Sequence, residues 1–169
     1  MIYLLDSNFF IQSHRDTYPL DVVVSFWKKF KTLAINGTLI SIDKVSQELN
    51  PSSHPDELAQ WCCGELPSGF FKETDTNQVV AEYQKIMQWA VNKSNHYLPG
   101  AITEFMSSTE ADAFLIAYAL ANKNNITIVT HESSNPNIKK KIKIPEVCND
   151  FGIKFCTTIQ MFRELKETF

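Results

Sequence analysis

The chain has 169 residues, of which 44% are hydrophobic; this is typical of one folded domain and excludes a disordered chain. Its formal net charge of −3 argues against a protein that coats nucleic acid through an overall basic surface. No apolar run approaches the ~20 residues that span a bilayer, and the first ten residues lack the basic start of a signal peptide. We therefore expect a cytoplasmic protein without a membrane partner, whose four cysteines are free thiols.

In the first half of the chain, short apolar runs alternate with segments of helical periodicity. Three runs have the length and apolar character of strands: 2–5, 38–42 and 69–72. Four segments are predicted to be helices, most of them after a capping Asp or Thr: 22–35, 44–49, 56–63 and 76–90. Asn36 and Gly37 end the first of these helices, and a loop is predicted at 50–55.

The second half of the chain continues the same alternation. Pro99 and Gly100 predict a turn, and the segment 110–121 is apolar nearly all round, which is typical of a helix buried on most sides. The remaining predicted elements are two strands, a basic loop and a terminal helix: 126–129, 153–156, 133–143 and 158–168. Strands that alternate with helices predict one α/β domain over 1–169, with a mostly parallel sheet.

Acidic residues occur where several of these strands and helices begin or end. Asp6 directly follows the first strand, Glu48 lies on the helix after the second, and Glu132 lies just past the fourth. Asp112 occupies the first turn of the apolar helix. Ligands of open α/β sheets bind at the carboxyl ends of the strands, so we expect these side chains to share one edge of the sheet.

Carboxylates that are brought together repel one another, and a hard divalent cation relieves that repulsion. Oxygen ligands without Cys or His favour Mg²⁺ or Mn²⁺. Such ions can activate a water and neutralise charge on a phosphate, so the pattern indicates metal-assisted phosphodiester chemistry. The alternative for Asp112 is a simple role at the N-terminus of its helix, where a negative charge is favoured.

Four segments resemble the acidic motifs of PIN-domain proteins: 3–11, 45–49, 110–117 and 128–132. The whole chain is similar to an uncharacterised PIN-like group related to VapC-type toxin ribonucleases. Two further segments carry this likeness, a Tyr-Pro-Leu-Asp sequence at 18–21 and an Ile-Pro-Glu-Val-Cys sequence at 144–148. The fourth acidic position departs from many relatives, because this chain has Glu132 where they have Asp.

The resemblance implies a parallel sheet of about five strands in the order 3-2-1-4-5, with helices on both faces. It implies that Asp6, Glu48, Asp112 and Glu132 are the metal-binding and catalytic residues of an endoribonuclease that uses Mg²⁺ or Mn²⁺. It also implies a toxin whose partners are an RNA substrate and an antitoxin, and it is compatible with a homodimer.

Several roles remain open on the sequence alone. Ser7, Asn8 and Thr130 either support the metal ligands or only shape turns. The basic run Lys139, Lys140 and Lys141 either binds an RNA backbone or is a solvated loop.

Two other functions are alternatives to the ribonuclease. One is a catalytically silent PIN-like module that binds RNA or protein. The other is a phosphatase with Asp6 as the nucleophile, which is disfavoured because Asn8 stands where the haloacid-dehalogenase motif requires Asp.

Overall fold

The computed structural model describes residues 1–50, 55–123 and 125–169, so most of the predicted loop at 50–55 lies outside the described residues. Its centre is a five-stranded sheet in the order β3-β2-β1-β4-β5, and every neighbouring pair of strands is parallel. The strands are β1 Ile2–Leu5, β2 Leu39–Ile42, β3 Phe71–Lys72, β4 Ile126–Val129 and β5 Lys154–Cys156. The predicted fold class and strand order are therefore confirmed.

The central strands are continuous apolar runs because they are covered on both faces. Every residue of β2 and β4 is buried, and in β1 only Ile2 is partly exposed. Tyr3 of β1 is paired with Leu39 on one side and Thr127 on the other, which fixes the register of the sheet centre.

Nine α-helices occur in the described part of the chain. They are α1 Ser7–Gln12, α2 Val24–Ile35, α3 Asp43–Leu49, α4 Glu57–Glu65, α5 Asn77–Asn92, α6 Pro99–Phe105, α7 Ala111–Ala121, α8 Ile144–Phe151 and α9 Thr158–Leu165. A short π-helical turn, Ser13–Thr17, follows α1. Parallel crossovers are right-handed, so the connections that run to the two sides of β1 place their helices on opposite faces of the sheet.

Three of these helices were not predicted from the sequence. The prediction of a turn at Pro99 and Gly100 is wrong, because Pro99 begins α6, a position where proline's missing N–H and fixed φ are harmless. A proline also occupies the first turn of α8, at Pro145. Helix α1 begins directly after Asp6, without a connecting turn, and is only six residues long.

Helix α2 begins two residues later than predicted. Asp21 does not cap it, because the N–H groups of Val22 and Val23 both donate to the carbonyl of Pro19 and form a turn there. Val22 was expected on the apolar face of the helix, but it is 72% exposed. The predicted end is confirmed, since Gly37 has a φ of +70° that favours glycine.

An aromatic cluster fills the core between the sheet and α2. Phe9 stacks on Phe30 with ring centroids 5.6 Å apart, and Phe10 meets the edge of Phe30 at 5.7 Å. Phe26 and Trp27 extend the cluster, and all five side chains are at most 3% exposed. These rings belong to the core and anchor α1 directly behind Asp6. No helix in the described ranges has the length and apolar character that crossing a bilayer requires.

Candidate active site

Asp6 lies at the carboxyl end of β1 and is 1% exposed. Its Oδ1 accepts a hydrogen bond of 2.7 Å from the N–H of Phe9, so the side chain caps α1. Its backbone N–H donates to the carbonyl of Val129 at 3.3 Å, which ties the ends of β1 and β4 together. Its Oδ2 has no hydrogen-bond partner among the described residues, which is costly for a buried carboxylate oxygen.

The surroundings of Asp6 disfavour its charge. Burial raises the pKa of its carboxyl from an ordinary value of 3.8 to about 7, and the charges of Glu132 and Glu48 act in the same direction. The Thr130 hydroxyl and the Phe9 N–H lower this pKa without offsetting burial. Thr130 lies near the carboxyl, although no hydrogen bond of regular geometry joins the two side chains. Asp6 therefore titrates close to neutral pH.

Glu48 and Asp112 meet at the N-terminus of α7. The Glu48 Oε1, on α3, accepts a 2.8 Å hydrogen bond from the N–H of Ala111, the first residue of α7. Asp112 follows in the first turn, where the helix dipole favours a negative charge. Glu110 is the N-cap residue of α7, but its own side chain makes no capping hydrogen bond. Glu48 thus performs from another helix the capping that Glu110 does not.

The pKa of Asp112 is also raised to about 7. Burial is the main cause, and the charges of Glu132, Asp6 and Glu48 add to it, while the ammonium of Lys141 lowers it. The four acidic residues predicted from the sequence therefore influence one another at one edge of the sheet. Among the described residues, the Asp112 carboxylate accepts no hydrogen bond, so its oxygens are free for another ligand.

Glu132 is held by two hydrogen-bond donors and its side chain is 10% exposed. The Lys141 Nζ donates to its Oε1 at 3.0 Å, and the Ile144 N–H donates to its Oε2 at 2.8 Å. Ile144 begins α8, so Glu132 caps that helix from the end of β4. Both oxygens of the fourth acidic residue are thus already engaged within the protein.

The carboxylates are not arranged as a ready-made metal site. Within 1–50, 55–123 and 125–169, no group of three or more His, Cys, Asp or Glu side chains is placed to hold an ion. The physical reason is that repelling carboxylates turn towards the backbone N–H groups of α1, α7 and α8. The donor set nevertheless fits a hard cation, because it consists of oxygen atoms only and includes the partnerless Oδ2 of Asp6.

The residues predicted to support the site differ in their contacts. Ser7 and Asn8 are half-buried in the first turn of α1, and no hydrogen bond of their side chains occurs among the described residues. Thr130 is buried, and its Oγ1 accepts a 3.1 Å hydrogen bond from the Glu132 N–H. Lys139 and Lys140 are exposed on the loop before α8.

Two residues near the site were not recognised from the sequence in this role. Lys141 was grouped with its neighbours as an RNA-binding residue, yet it pairs with Glu132 and lines a small cleft with Asp112. Glu110 is the N-cap residue of α7, and its extended backbone, with φ −85° and ψ 128°, places it outside the regular spacing of the helix that contains Asp112. Burial and the charge of Glu48 raise the pKa of Glu110.

The role of Thr130 can be measured by removing its hydroxyl. Thr130→Val leaves the Glu132 N–H without its acceptor, so we expect the free energy of unfolding to fall by about 1–2 kcal/mol. Thr127→Val is the matched control, since Thr127 is buried on β4, directly before Thr130, and its hydroxyl makes no hydrogen bond within the described chain. Urea unfolding of both variants tests this. Equal losses in the two variants contradict the proposed role of the hydroxyl.

Comparison with known proteins agrees with this architecture. The family model "Domain of unknown function (DUF4411)" matches residues 3–169, whereas no curated protein matches the sequence. Among solved structures, the chain is similar to VapBC2 from Rickettsia felis, which is bound there to a DNA fragment from its promoter. The TM-score is 0.54 at 16% identity, over 93% of this chain and 98% of that chain, so the likeness supports a PIN-like fold. The chain belongs to the DUF4411 family, whose model covers it almost from end to end.

Proposed function

We propose that the chain is a divalent-metal-dependent endoribonuclease and the toxin of a toxin–antitoxin pair. The observation that carries this proposal is the buried Asp6, whose Oδ2 lacks a partner and whose neighbours at the sheet edge are further carboxylates. Perturbed carboxyls clustered at the carboxyl ends of parallel strands are typical of functional sites. The resemblance to VapC-type toxins and the likeness to VapBC2 support the class of activity.

In this proposal Asp6, Asp112 and Glu48 hold Mg²⁺ or Mn²⁺. When bound, the ion supplies the charge that activates a water and stabilises the phosphate undergoing attack. The Phe9 N–H orients Asp6, and the Ala111 N–H orients Glu48, so neither carboxylate has to be positioned by the ion alone. Because Asp6 and Asp112 titrate near pH 7, ion binding at neutral pH also releases protons.

Further partners follow from the same proposal. The substrate is RNA, with Lys139 and Lys140 as exposed cations for its backbone. An antitoxin protein restrains the activity, and a second copy of the chain completes a homodimer.

The test is cleavage of mixed cellular RNA by the purified protein with Mg²⁺, with Mn²⁺ and with a chelator. We expect fragments with either ion and intact RNA with the chelator, because the carboxylates alone cannot activate water at neutral pH. A preparation of the Asp6→Asn variant, purified identically, controls for a contaminating nuclease. Cleavage that survives chelation rejects the proposal.

A second candidate function is a PIN-like module that binds RNA or protein without cleaving it. One observation favours it: Glu48 and Glu132 are engaged by backbone N–H groups, and no described group of side chains is pre-arranged for an ion. Under this alternative, titration of labelled RNA with the protein in Mg²⁺ shows binding by fluorescence anisotropy, and the RNA stays intact. Cleavage of the RNA at the protein concentrations that bind it would instead support the nuclease.

A further inference from the structure

Lys141 is placed differently from the other lysines of its basic run. Its Nζ lies 3.0 Å from the Oε1 of Glu132, and its side chain lines a cleft of about 10 Å³ with Asp112 and Glu110. Lys139 and Lys140 are exposed and form no ion pair among the described residues. The run therefore contains one cation that is paired with a carboxylate of the acidic site, although 45% of its side chain is exposed, and two exposed cations without such a pair.

The backbone around Lys141 is held firmly. The next residue, Ile142, is 1% exposed and belongs to the hydrophobic core. The carbonyl of Lys139 accepts a 2.9 Å hydrogen bond from the N–H of Leu98 before α6. Further along, Glu146 of α8 accepts a hydrogen bond of 2.9 Å from the hydroxyl of Ser134. The loop that carries Lys141 is therefore anchored on both sides of this residue, and it holds the lysine side chain beside Glu132.

The engagement of Glu132 has a consequence for ion binding. One of its oxygens accepts a hydrogen bond from an ammonium and the other from the α8 N-terminus, so an ion at Glu132 would have to share each oxygen with a donor and approach a positive charge. Oxygens without a donor among the described residues remain on Asp6, whose Oδ2 has no partner, on Asp112, and on Glu48, of which only Oε1 is engaged. An ion bound by these three residues leaves the pair of Lys141 and Glu132 intact.

We propose that Lys141 stands in place of a second metal ion, so that the site binds one divalent cation, at Asp6, Glu48 and Asp112, and keeps Glu132 off it. This inference rests on the proposed function, because it concerns the number of ions in the same site. The ammonium supplies a fixed positive charge beside the cleft, where a two-metal nuclease would need another cation. It also repels a second ion that approaches Glu132.

Counting bound Mn²⁺ tests the inference without any assay of activity. We expect one bound ion in the wild type and two in Lys141→Met. The number is measured by calorimetric titration and by the decrease of the electron paramagnetic resonance signal of free Mn²⁺. Methionine keeps an unbranched stem of similar reach and removes only the ammonium. We expect the second ion to bind more than about tenfold more tightly in this variant than in the wild type, because a unit charge nearby is lost.

Three further variants test whether the number of bound Mn²⁺ ions depends on the charge of Lys141 and on Glu132. Lys140→Met removes a neighbouring charge that is not directed at the site, and it should bind one ion like the wild type. Lys141→Gln repeats the removal of charge with a polar side chain and should bind two. Adding Glu132→Gln to Lys141→Met should return the count to one, since the freed carboxylate is the expected ligand of the second ion. Thermal unfolding confirms that each variant is folded before titration.

The possible outcomes separate the two proposals. Two ions in the wild type, or one ion in Lys141→Met and Lys141→Gln, overturn the role of Lys141 and leave the metal-dependent nuclease standing. No Mn²⁺ binding in the wild type overturns both.

Discussion

Asp6→Asn is expected to reduce metal-dependent RNA cleavage by about 10²- to 10³-fold, an effect on activity that only Asp112→Asn should match. The substitution removes the negative charge that an ion needs while keeping the size of the side chain. It also preserves the start of α1, because the Asn Oδ1 can still accept the hydrogen bond from the Phe9 N–H. Initial rates of RNA cleavage in Mg²⁺, at matched protein concentrations, measure the loss.

The matched control is Asp56→Asn. Asp56 caps α4 by accepting a 2.9 Å hydrogen bond from the Ala59 N–H, so it repeats the local geometry of Asp6 outside the acidic edge. Its cleavage rate should stay within twofold of the wild type. Asp112→Asn should resemble Asp6→Asn, whereas Glu132→Gln should lose less activity because Glu132 is engaged by Lys141. Undiminished cleavage by Asp6→Asn would remove this carboxylate from the mechanism.

The strands of this fold could be read from the sequence because their signals are local. The run from Ile2 to Leu5 is short and apolar, and it ends at a charged residue. The helices that escaped prediction lack such signals. Helix α6 begins with Pro99 and Gly100, which indicate a turn when they are read without the chain that follows. Their helical role depends on tertiary packing, in which Ala101 and Phe105 are buried.

Only part of the candidate site could be predicted from the sequence. Parallel strands present their carboxyl ends at one edge, so the grouping of Asp6, Glu48, Asp112 and Glu132 follows from element order alone. Their hydrogen-bond partners do not follow from it, because three of these side chains accept from backbone N–H groups, which every residue but proline carries.

The contact of Lys141 with Glu132 could not be predicted from the sequence either. In the sequence it is one of several adjacent lysines, and nothing local separates it from Lys140. The difference arises from the burial of Ile142, which turns the following chain into the core and sets the side chain of Lys141 against Glu132. A basic run can therefore contain both a lysine that is paired with an acidic site and lysines without an ion pair, and only the fold assigns each role.

The acidic edge also predicts how stability depends on pH without divalent ions. The pKa of Asp6 is 3.8 in its ordinary state and about 7 in the folded protein, so the folded state binds more protons than the unfolded state between these values. The free energy of unfolding contributed by this group therefore falls as pH rises from about 4 to about 7. Because one pKa unit corresponds to about 1.4 kcal/mol, the full contribution is roughly 4 kcal/mol, taken as an upper bound.

Asp6→Asn removes this titration, so its stability relative to the wild type should increase with pH. We expect the two proteins to be similar near pH 4 and the variant to be more stable by roughly 2–4 kcal/mol near pH 7.5. Urea unfolding in a chelator, at several pH values, measures the difference directly, and taking the difference cancels the titration of distant groups. Asp56→Asn, measured in parallel, gives the effect of the same substitution at a helix cap outside the acidic edge.

Adding Mg²⁺ at pH 7.5 should then stabilise the wild type far more than Asp6→Asn, because an ion that binds the folded state alone raises its stability. The two effects have opposite signs at the same residue: the carboxylate destabilises the protein without the ion and stabilises it with the ion. A carboxylate that served only to cap α1 would leave the wild type and Asp6→Asn with the same response to Mg²⁺. Equal stabilisation of the two proteins by Mg²⁺ is the result that would remove Asp6 from the metal site.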